Sequence, residues 1–462
     1  MVWREWISAL WNPWLLALFF IVGGYYSLRT GFFQVFHFRH WMGSTLGPLF
    51  RRSRKQAAKG RLTQFQAMAT ALGATVGTSS IAGVATAIYF GGPGAVFWMW
   101  MSAFLGIMTG YAEKVLAIRY RRRDEKGQWK GGPAEYMTRG LKCPAMAKLF
   151  CLACLLASFT GGNLVQANSL AWGMQAAFGT EVRIVGVIVA GFVAVVIFGG
   201  IGRIGKVSSA MVPVMALLFA GGGLWVLAAN HAVLPGVFRE IMTSAFTVPA
   251  LTGGGAGYSV SAALRYGVAR GVFTNEAGLG SSAMAHAVAD VDREHTQGLW
   301  GMLEVFIATL VIATVSALVI LSSGIYQPGD ALRVIESGLV DSATVGAPLA
   351  VRSFETVMGG LAGPFLAICL ALFAISSLLG WSYYGERSLE ELLGSQKGRG
   401  LYRVVFIALI LVGSVSKVDV VWELADLCNG LMALPNLTAL LLLSPEVLKI
   451  WKQAIGQEKT PG

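Results

Sequence analysis

The chain has 462 residues, 55% of them hydrophobic and only 13% charged, with a mean hydropathy of +0.62. Apolar runs long enough to cross a bilayer recur along its whole length, which excludes an ordinary soluble domain and points to an all-α polytopic membrane protein partnered by the lipid bilayer. The net charge of +12 would suit nucleic acid, but it sits in loops between apolar segments, so it is read as membrane orientation and no nucleic-acid partner is expected.

The first apolar segment, Ser8 to Ser27, contains Pro13 and Gly23-Gly24, has no A-x-A-like cleavage site, and is long enough to span. The linker Leu28 to Arg61 holds Arg29, Arg39, Arg51, Arg52, Arg54, Lys55, Lys59 and Arg61 and no acid. Such a loop stays in the cytoplasm, which puts the N-terminus outside. The next span, Gln66 to Phe90, carries the polar stretch Gly73-Ala74-Thr75-Val76-Gly77-Thr78-Ser79-Ser80 and is followed by the turn Gly91-Gly92-Pro93-Gly94. A helix from Phe97 to Arg119 runs into Arg121-Arg122-Arg123, Lys126 and Lys130. Glu113, near its end, is expected to snorkel or to pair with a nearby Arg. Gly131 to Met137 reads as a turn and helix start. The span Ala145 to Phe178 bears Cys151 and Cys154, assigned to packing, and the amides Asn163, Gln166 and Asn168. Three amides at membrane depth need partners; Gln166 is as well placed to contact a ligand as a neighbouring helix.

Spans Val185 to Gly200 and Val207 to Ala229 are joined by the basic turn Arg203 to Lys206. An outer segment, His231 to Ala256, ends in Gly253-Gly254-Gly255. Apolar Tyr258 to Val272 then meets a second polar stretch, Phe273-Thr274-Asn275-Glu276-Ala277-Gly278-Leu279-Gly280-Ser281, before apolar Ala283 to Ala289 and the hydrophilic loop Asp290 to Gln297. The remaining spans are Gly298 to Leu321, Glu355 to Gly385 with Ser376-Ser377 and Trp381, Val404 to Val415, and Val421 to Leu442. Between them lie a polar outer segment, Ser322 to Ser353, and a charged loop, Glu386 to Arg403; a basic tail ends the chain. The expectation is about eleven transmembrane helices with every second loop basic and the C-terminus cytoplasmic.

A continuous membrane helix has no use for Asn, Glu and two Gly at its middle. A broken helix does, because its freed amides and carbonyls face a ligand instead of lipid. With the first span set aside, ten remain, and the interruptions fall in the first and sixth core helices. That is a five-plus-five inverted repeat with one extra N-terminal helix, the architecture of secondary transporters. The expected organisation is residues 1–61 (extra helix and basic linker), 62–230 (first repeat), 231–444 (second repeat) and 445–462 (cytoplasmic tail). A channel would use broken helices as re-entrant loops in an oligomer. A membrane enzyme would need a nucleophile and base or clustered metal ligands, and the histidines at 37, 40, 231, 286 and 295 form no H-E-x-x-H.

Several motifs in this order resemble the alanine/glycine:cation symporter family: Ala69-Thr70-Ala71-Leu72, Thr75-Val76-Gly77-Thr78, Ile81-Ala82-Gly83-Val84-Ala85, Gly131-Gly132-Pro133-Ala134-Glu135-Tyr136, Val165-Gln166-Ala167-Asn168-Ser169, Thr274 to Ser281, and Gly380-Trp381-Ser382-Tyr383-Tyr384-Gly385-Glu386. The similarity covers nearly the whole chain. It implies a leucine-transporter-like fold and sodium-coupled uptake of small neutral amino acids at the cell membrane, with no enzyme activity and no cofactor beyond the co-transported ion. Ser79-Ser80 stands where the family usually has Gly-Asn; both substitutes are small and polar, so the break is expected to persist.

The resemblance implies a division of labour. Amides near Gly77, Thr78 and Ser79, with the Thr78 hydroxyl, would meet the substrate carboxylate, helped by the dipole of a half-helix start. The Phe273 and Thr274 carbonyls would meet the ammonium, and Asn275 and Gln166 would complete the polar shell. Sodium would take the Gly73 and Val76 carbonyls, the Phe373 carbonyl, and the hydroxyls of Ser376 and Ser377, all hard oxygens. Without the resemblance, Ser376-Ser377 are equally well read as back-bonding to their own helix. Ser377 and Trp381, four apart, share a face; Trp381 either caps the substrate space or anchors at the interface. Glu276 is expected to bond unwound backbone of its own helix and His286 to be packed or interfacial. Both would be the sites to examine for proton coupling.

Overall fold

The computed structural model describes residues 10–11, 13–50, 61–124, 127–246, 256–326, 345–416 and 418–458. Ser8, the basic run Arg51 to Lys59, Lys126, Gly253-Gly254-Gly255 and residues 327–344 of the outer segment lie outside the described residues.

The described residues are predominantly helical. Helix α1 is Pro13–Arg29 and α2 is Phe38–Phe50. Helices α3 (Gln64–Thr75) and α4 (Ala82–Gly91) are the two parts of the first broken helix, and α5 (Gly94–Arg119) follows. A short hairpin, β1 (Arg122–Arg123) against β2 (Trp129–Lys130), closes the next loop. Helices α6 (Pro144–Phe159) and α7 (Val165–Phe178) run on through a π-helical turn, Thr160–Leu164. Then come α8 (Val182–Ile197), α9 (Gly200–Ala229) and α10 (Leu234–Ser244). The second broken helix is α11 (Ala256–Asn275) and the one-turn α12 (Ala283–His286). Helices α13 (Glu294–Val305) and α14 (Thr314–Ser322) join through the π-helical stretch Phe306–Ala313. The last are α15 (Ala347–Met358), α16 (Ala362–Leu393), α17 (Arg399–Val415), α18 (Val418–Leu442) and α19 (Ser444–Glu458).

Among the described residues, six helical stretches are long and apolar enough to cross a membrane: Gly94–Arg119, Pro144–Phe178, Gly200–Ala229, Glu294–Ser322, Ala347–Leu393 and Trp422–Leu442. Shorter apolar helices accompany them. The outward faces carry apolar side chains that water would not tolerate in such numbers, among them Val187 and Ile188 on α8, Leu217 on α9 and Leu401 on α17. Lipid is their natural solvent. Helix α5 sits at the centre, flanked by α11 and α13, while α6 and α7 pack on α16, and α8 on α17.

Local chemistry sets the breaks. Helix α3 opens with a reciprocal capping box, Thr63 and Gln66 each bonding the other's backbone amide. It stops where Val76 (φ −82°, ψ 71°) and extended Gly77 leave helical geometry. At the second break Glu276 (φ 53°), Gly278 (φ 93°) and Gly280 (φ 78°) take left-handed backbone, which two glycines make easy and one glutamate does not. The start of the first broken helix and the end of the second are joined by main chain: Leu62 N–H donates to the Val288 carbonyl, and Asp290 N–H to that of Leu62.

Several boundaries differ from expectation. Helix α16 starts at Ala362 and runs to Leu393, so Glu386, Arg387 and Glu390 are helical and buried instead of lying in a charged loop. Each is paired: Arg403 Nε and Nη2 bond Glu386 at 2.5 and 2.9 Å, and Arg387 bonds Glu390 at 2.9 Å. Neutralised charges do not end a helix as solvated ones would. Similarly, Arg203 and Lys206 lie on α9 itself, the turn falling at Phe198–Gly199. The outer segments each contain a helix, α10 and α15.

Candidate functional site

The first break leaves groups that its own helix cannot satisfy, and two other helices supply the partners. Gly77 N–H turns to the Thr75 carbonyl. Thr78 N–H and its hydroxyl both donate to Gln166 Oε1, at 3.0 and 3.1 Å. The carbonyls that would have received these amides, Gly73 and Ala74, accept instead from the Ser377 hydroxyl at 3.1 and 2.7 Å. Gly77 lies where a Cβ would stand 2.6 Å from Ser377 Oγ and 2.8 Å from Gln166 Oε1. Gly73, Gly77, Thr78, Gln166 and Ser377 are thus brought together. Val76 and Ser79 are buried beside them, Ser79 against Gly83. Ser376 faces Gly73 but bonds back to the Phe373 carbonyl at 2.9 Å and to Met215 Sδ at 3.4 Å.

At the second break, Phe273, Thr274 and Asn275 stay in the last turn of α11, and unwinding begins at Glu276. The amides that a continuing helix would aim at the Phe273 and Thr274 carbonyls go elsewhere. Ala277 N–H donates to Asn275 Oδ1 at 3.0 Å, and Gly278 N–H to Glu113 Oε1 at 2.9 Å. These carbonyls are therefore released as acceptors although the turn around them is intact. Asn275 caps this end and sits against Gly106 of α5. Thr274 Oγ1 bonds the Arg270 carbonyl, and Arg270 closes bidentately on Asp426 of α18 at 3.0 and 2.7 Å.

The π-helical turn Thr160–Leu164 connects the two breaks. Gln166 Nε2 donates to the Gly161 carbonyl at 3.0 Å. Gly161 faces the Phe273 ring, and Gly162 faces Trp381 so closely that a Cβ would stand 2.4 Å from Cγ. Trp381 is 5% exposed and donates to Glu276 Oε1 at 3.1 Å; it is no interfacial anchor. Glu276 bonds Trp381 and the Ser281 hydroxyl, not the unwound backbone as expected. Asn163 and Asn168 serve helix packing, donating to carbonyls of Phe406, Gly413 and Ser416.

Glu113 takes the backbone role instead. It is fully buried, not snorkelling. Its Oε1 accepts from Gly278 and Gly280 N–H at 2.9 Å each and from Asn436 Nδ2 at 2.8 Å. Lys114, also fully buried, stands 3.3 Å from both Glu113 and Glu304 and donates to Ser282 Oγ at 2.7 Å. Glu304 accepts from Thr75 Oγ1 at 3.0 Å and contacts His286 Nε2 at 3.0 Å; His286 is completed by Gln297. This network ties the first break, through Thr75, to the second. Sequence reasoning misses Glu113, Lys114 and Glu304 as site residues, although an ionisable group inside an apolar run is a functional candidate by default.

Among the described residues no cluster of His, Cys, Asp and Glu could hold a metal ion. The convergent oxygens at the first break are neutral carbonyls and hydroxyls, suited to a monovalent hard cation. The sequence matches the sodium:alanine symporter family over residues 2–461. The chain belongs to the sodium:alanine symporter family. It is 41% identical to the sodium/alanine symporter AgcS of Methanococcus maripaludis over 445 residues, covering 96% of this chain and 94% of that one. It is 37% identical to the probable sodium/glutamine symporter GlnT of Bacillus subtilis, covering 97% and 89%. In fold it resembles MhsT in complex with L-phenylalanine (TM-score 0.58, 12% identity, 84% of this chain and 90% of that one). It also resembles an Eremococcus coleocola manganese transporter (TM-score 0.53, 17% identity, 83% and 78%). The symporter is therefore a multi-pass membrane protein of leucine-transporter-like fold, from a family of amino-acid symporters.

Proposed function

We propose that this symporter couples sodium entry to uptake of a small neutral amino acid such as alanine or glycine across the plasma membrane, with its N-terminus outside and its C-terminus cytoplasmic. One observation carries the reading: the two breaks offer opposite chemistry. The amides of the second are already filled by Glu113, so a substrate carboxylate is left with the donors of the first, Thr78 N–H and Oγ1 with those near Ser79. The Phe273 and Thr274 carbonyls, freed of helical donors, suit an ammonium. Gln166 Oε1 holds the Thr78 donors and yields them when a carboxylate arrives. The name of AgcS, a sodium/alanine symporter, fits the same reading, and that of GlnT, a probable sodium/glutamine symporter, supports sodium coupling and a neutral amino acid but not the small size. Alanine uptake into proteoliposomes should rise with an inward sodium gradient and fall to background without it; equal uptake in both would overturn the proposal. Proton coupling is the second reading, favoured by the fully buried Glu276 beside the break. It requires that a pH gradient alone drive uptake.

Sodium would lie among the Gly73, Val76 and Phe373 carbonyls and the Ser376 and Ser377 hydroxyls. The hydroxyl protons now point at two of those carbonyls; an ion drawn to the same oxygens takes the place of those bonds. Changing both serines to Ala is expected to raise the sodium concentration for half-maximal uptake roughly tenfold, the equivalent of about 1.4 kcal/mol. An unchanged sodium dependence would remove Ser376 and Ser377 from the ion site.

Trp381 limits side-chain size. Trp381→Leu should let valine or leucine compete with labelled alanine, each accommodated methylene gaining about 0.8 kcal/mol. Trp381→Phe keeps an aromatic ring while losing the Glu276 bond, so it should retain more of the preference for small residues than Trp381→Leu. If Trp381→Leu leaves the order of competing amino acids unchanged, the size-filter role fails.

A further inference from the structure

The start of α9, the end of α16 and the start of α17 enclose a cavity of about 350 Å³, none of whose lining residues belongs to either break. Arg387, Arg399 and Arg403 line it, together with Glu386. Their carboxylate partners account for part of their donors. Arg403 is bidentate to Glu386. Arg387 Nη1 bonds Glu390 and lies 3.8 Å from Asp124. Arg399 Nε bonds Glu390 and lies 3.7 Å from Glu386. Two donors of these arginines, Arg387 Nε and Arg399 Nη2, are without partners among the described residues; both nitrogens are buried behind the cavity surface, so a ligand meets them once the guanidinium groups turn. Arg387 is only 6% exposed and lies over the Tyr383 ring, so bulk water does not satisfy it. A buried donor left unfilled is unfavourable, and two beside one cavity call for an acceptor with several oxygens.

The surroundings narrow the class of ligand. Gly199 and Gly202 are exposed at the turn into α9, next to exposed Arg203 and Lys206. No acid occurs between Glu181 and Glu240. The flanking surface is apolar and faces outward: Val195 and Phe198 of the α8 end and Leu401 of α17 are 66%, 55% and 72% exposed. Guanidinium donors inside, cations at the rim and an apolar wall alongside match one chemistry, a phosphate that carries acyl chains. A soluble phosphate would use the donors but not the wall. We propose that this cavity binds the phosphate group of an anionic phospholipid from the leaflet at the basic end of the bundle.

The test uses the full chain in neutral detergent, with thermal unfolding followed as short-chain phosphatidylglycerol, short-chain phosphatidylcholine or inorganic phosphate is added. Phosphatidylglycerol should raise Tm saturably by about 3 °C, and the other two should not. Gly202→Glu places a competing carboxylate at the mouth, where nothing lies within 4 Å of the new Cβ. It should abolish the shift while leaving sodium-driven uptake in neutral lipid unchanged; Gly202→Gln should keep the shift. Should Gly202→Glu fold poorly, Arg399→Gln, which removes one of the two spare donors, is read in the same way. No shift in the unmodified chain, or a shift undiminished in the variants, overturns the proposal. A shift reproduced by inorganic phosphate overturns the lipid and leaves a soluble phosphate as the ligand.

Discussion

Glu113→Ala is expected to abolish uptake and to destabilise the symporter by about 3–5 kcal/mol, the cost of breaking a fully buried ionic cluster at one member. The carboxylate satisfies two backbone amides and the Asn436 amide, and it faces Lys114. Its removal strands all of them in a region that water does not reach. Glu113→Gln keeps the shape but has one acceptor oxygen, and its amide opposes the Lys114 ammonium, so it should be intermediate. Lys114→Met alone strands Glu304 as well as Glu113 and should be as damaging as Glu113→Ala. The double variant Glu113→Gln/Lys114→Met should recover part of the combined loss, because the two charges disappear together. Thermal unfolding of the purified variants, with proteoliposome uptake in parallel, measures this. Normal stability of Glu113→Ala would mean that the second break does not depend on the carboxylate.

Gly77→Val is expected to lower uptake by about a hundredfold or more while the protein remains membrane-inserted. Even the first added carbon stands 2.6 Å from Ser377 Oγ and 2.8 Å from Gln166 Oε1. Both partners are tied, Ser377 to the Gly73 and Ala74 carbonyls and Gln166 to Thr78 and Gly161, so neither gives way without losing bonds. Overpacking of this kind costs about 1–3 kcal/mol, and here the strain falls on the groups proposed to meet carboxylate and ion. Gly77→Ala should show the same effect at smaller size. Gly24→Ala is the control, since nothing lies within 4 Å of its Cβ position; its uptake should be that of the unmodified chain. Ordinary uptake by Gly77→Val would show that the break has room to spare.

How much of this was legible in the sequence depended on the range of the interaction. Polar residues with glycine inside an apolar run announce a break wherever it lies, so Gly77, Thr78 and the Thr274–Ser281 stretch were found from local composition. Gln166 and Ser377 were marked as polar among apolar neighbours, and both reach the first break. What local composition does not carry is a partner. Local composition assigns Glu113 to solvent or a nearby arginine, yet its acceptor duties lie with Gly278, Gly280 and Asn436, more than 160 residues away. Local composition leaves Trp381 between pocket and interface because the charges from Glu386 onward read as a loop. With those charges paired, α16 continues to Leu393, and Trp381 sits about three turns inside it.

The tie between Leu62 and the chain after α12 has a mechanical meaning. It is made of main-chain bonds, from Leu62 N–H to the Val288 carbonyl and from Asp290 N–H to the Leu62 carbonyl. No side-chain substitution short of proline removes such bonds. The near ends of α3 and α12 are therefore yoked, and a tilt of one half-helix is delivered to the other without passing through the substrate space. The two are linked again through a third helix, where Glu304 of α13 accepts from Thr75 of α3 and contacts His286 of α12. The two half-helices are thus tied directly at one end and through Glu304 at the other, and whatever opens that side of the molecule has to carry the pair as one piece.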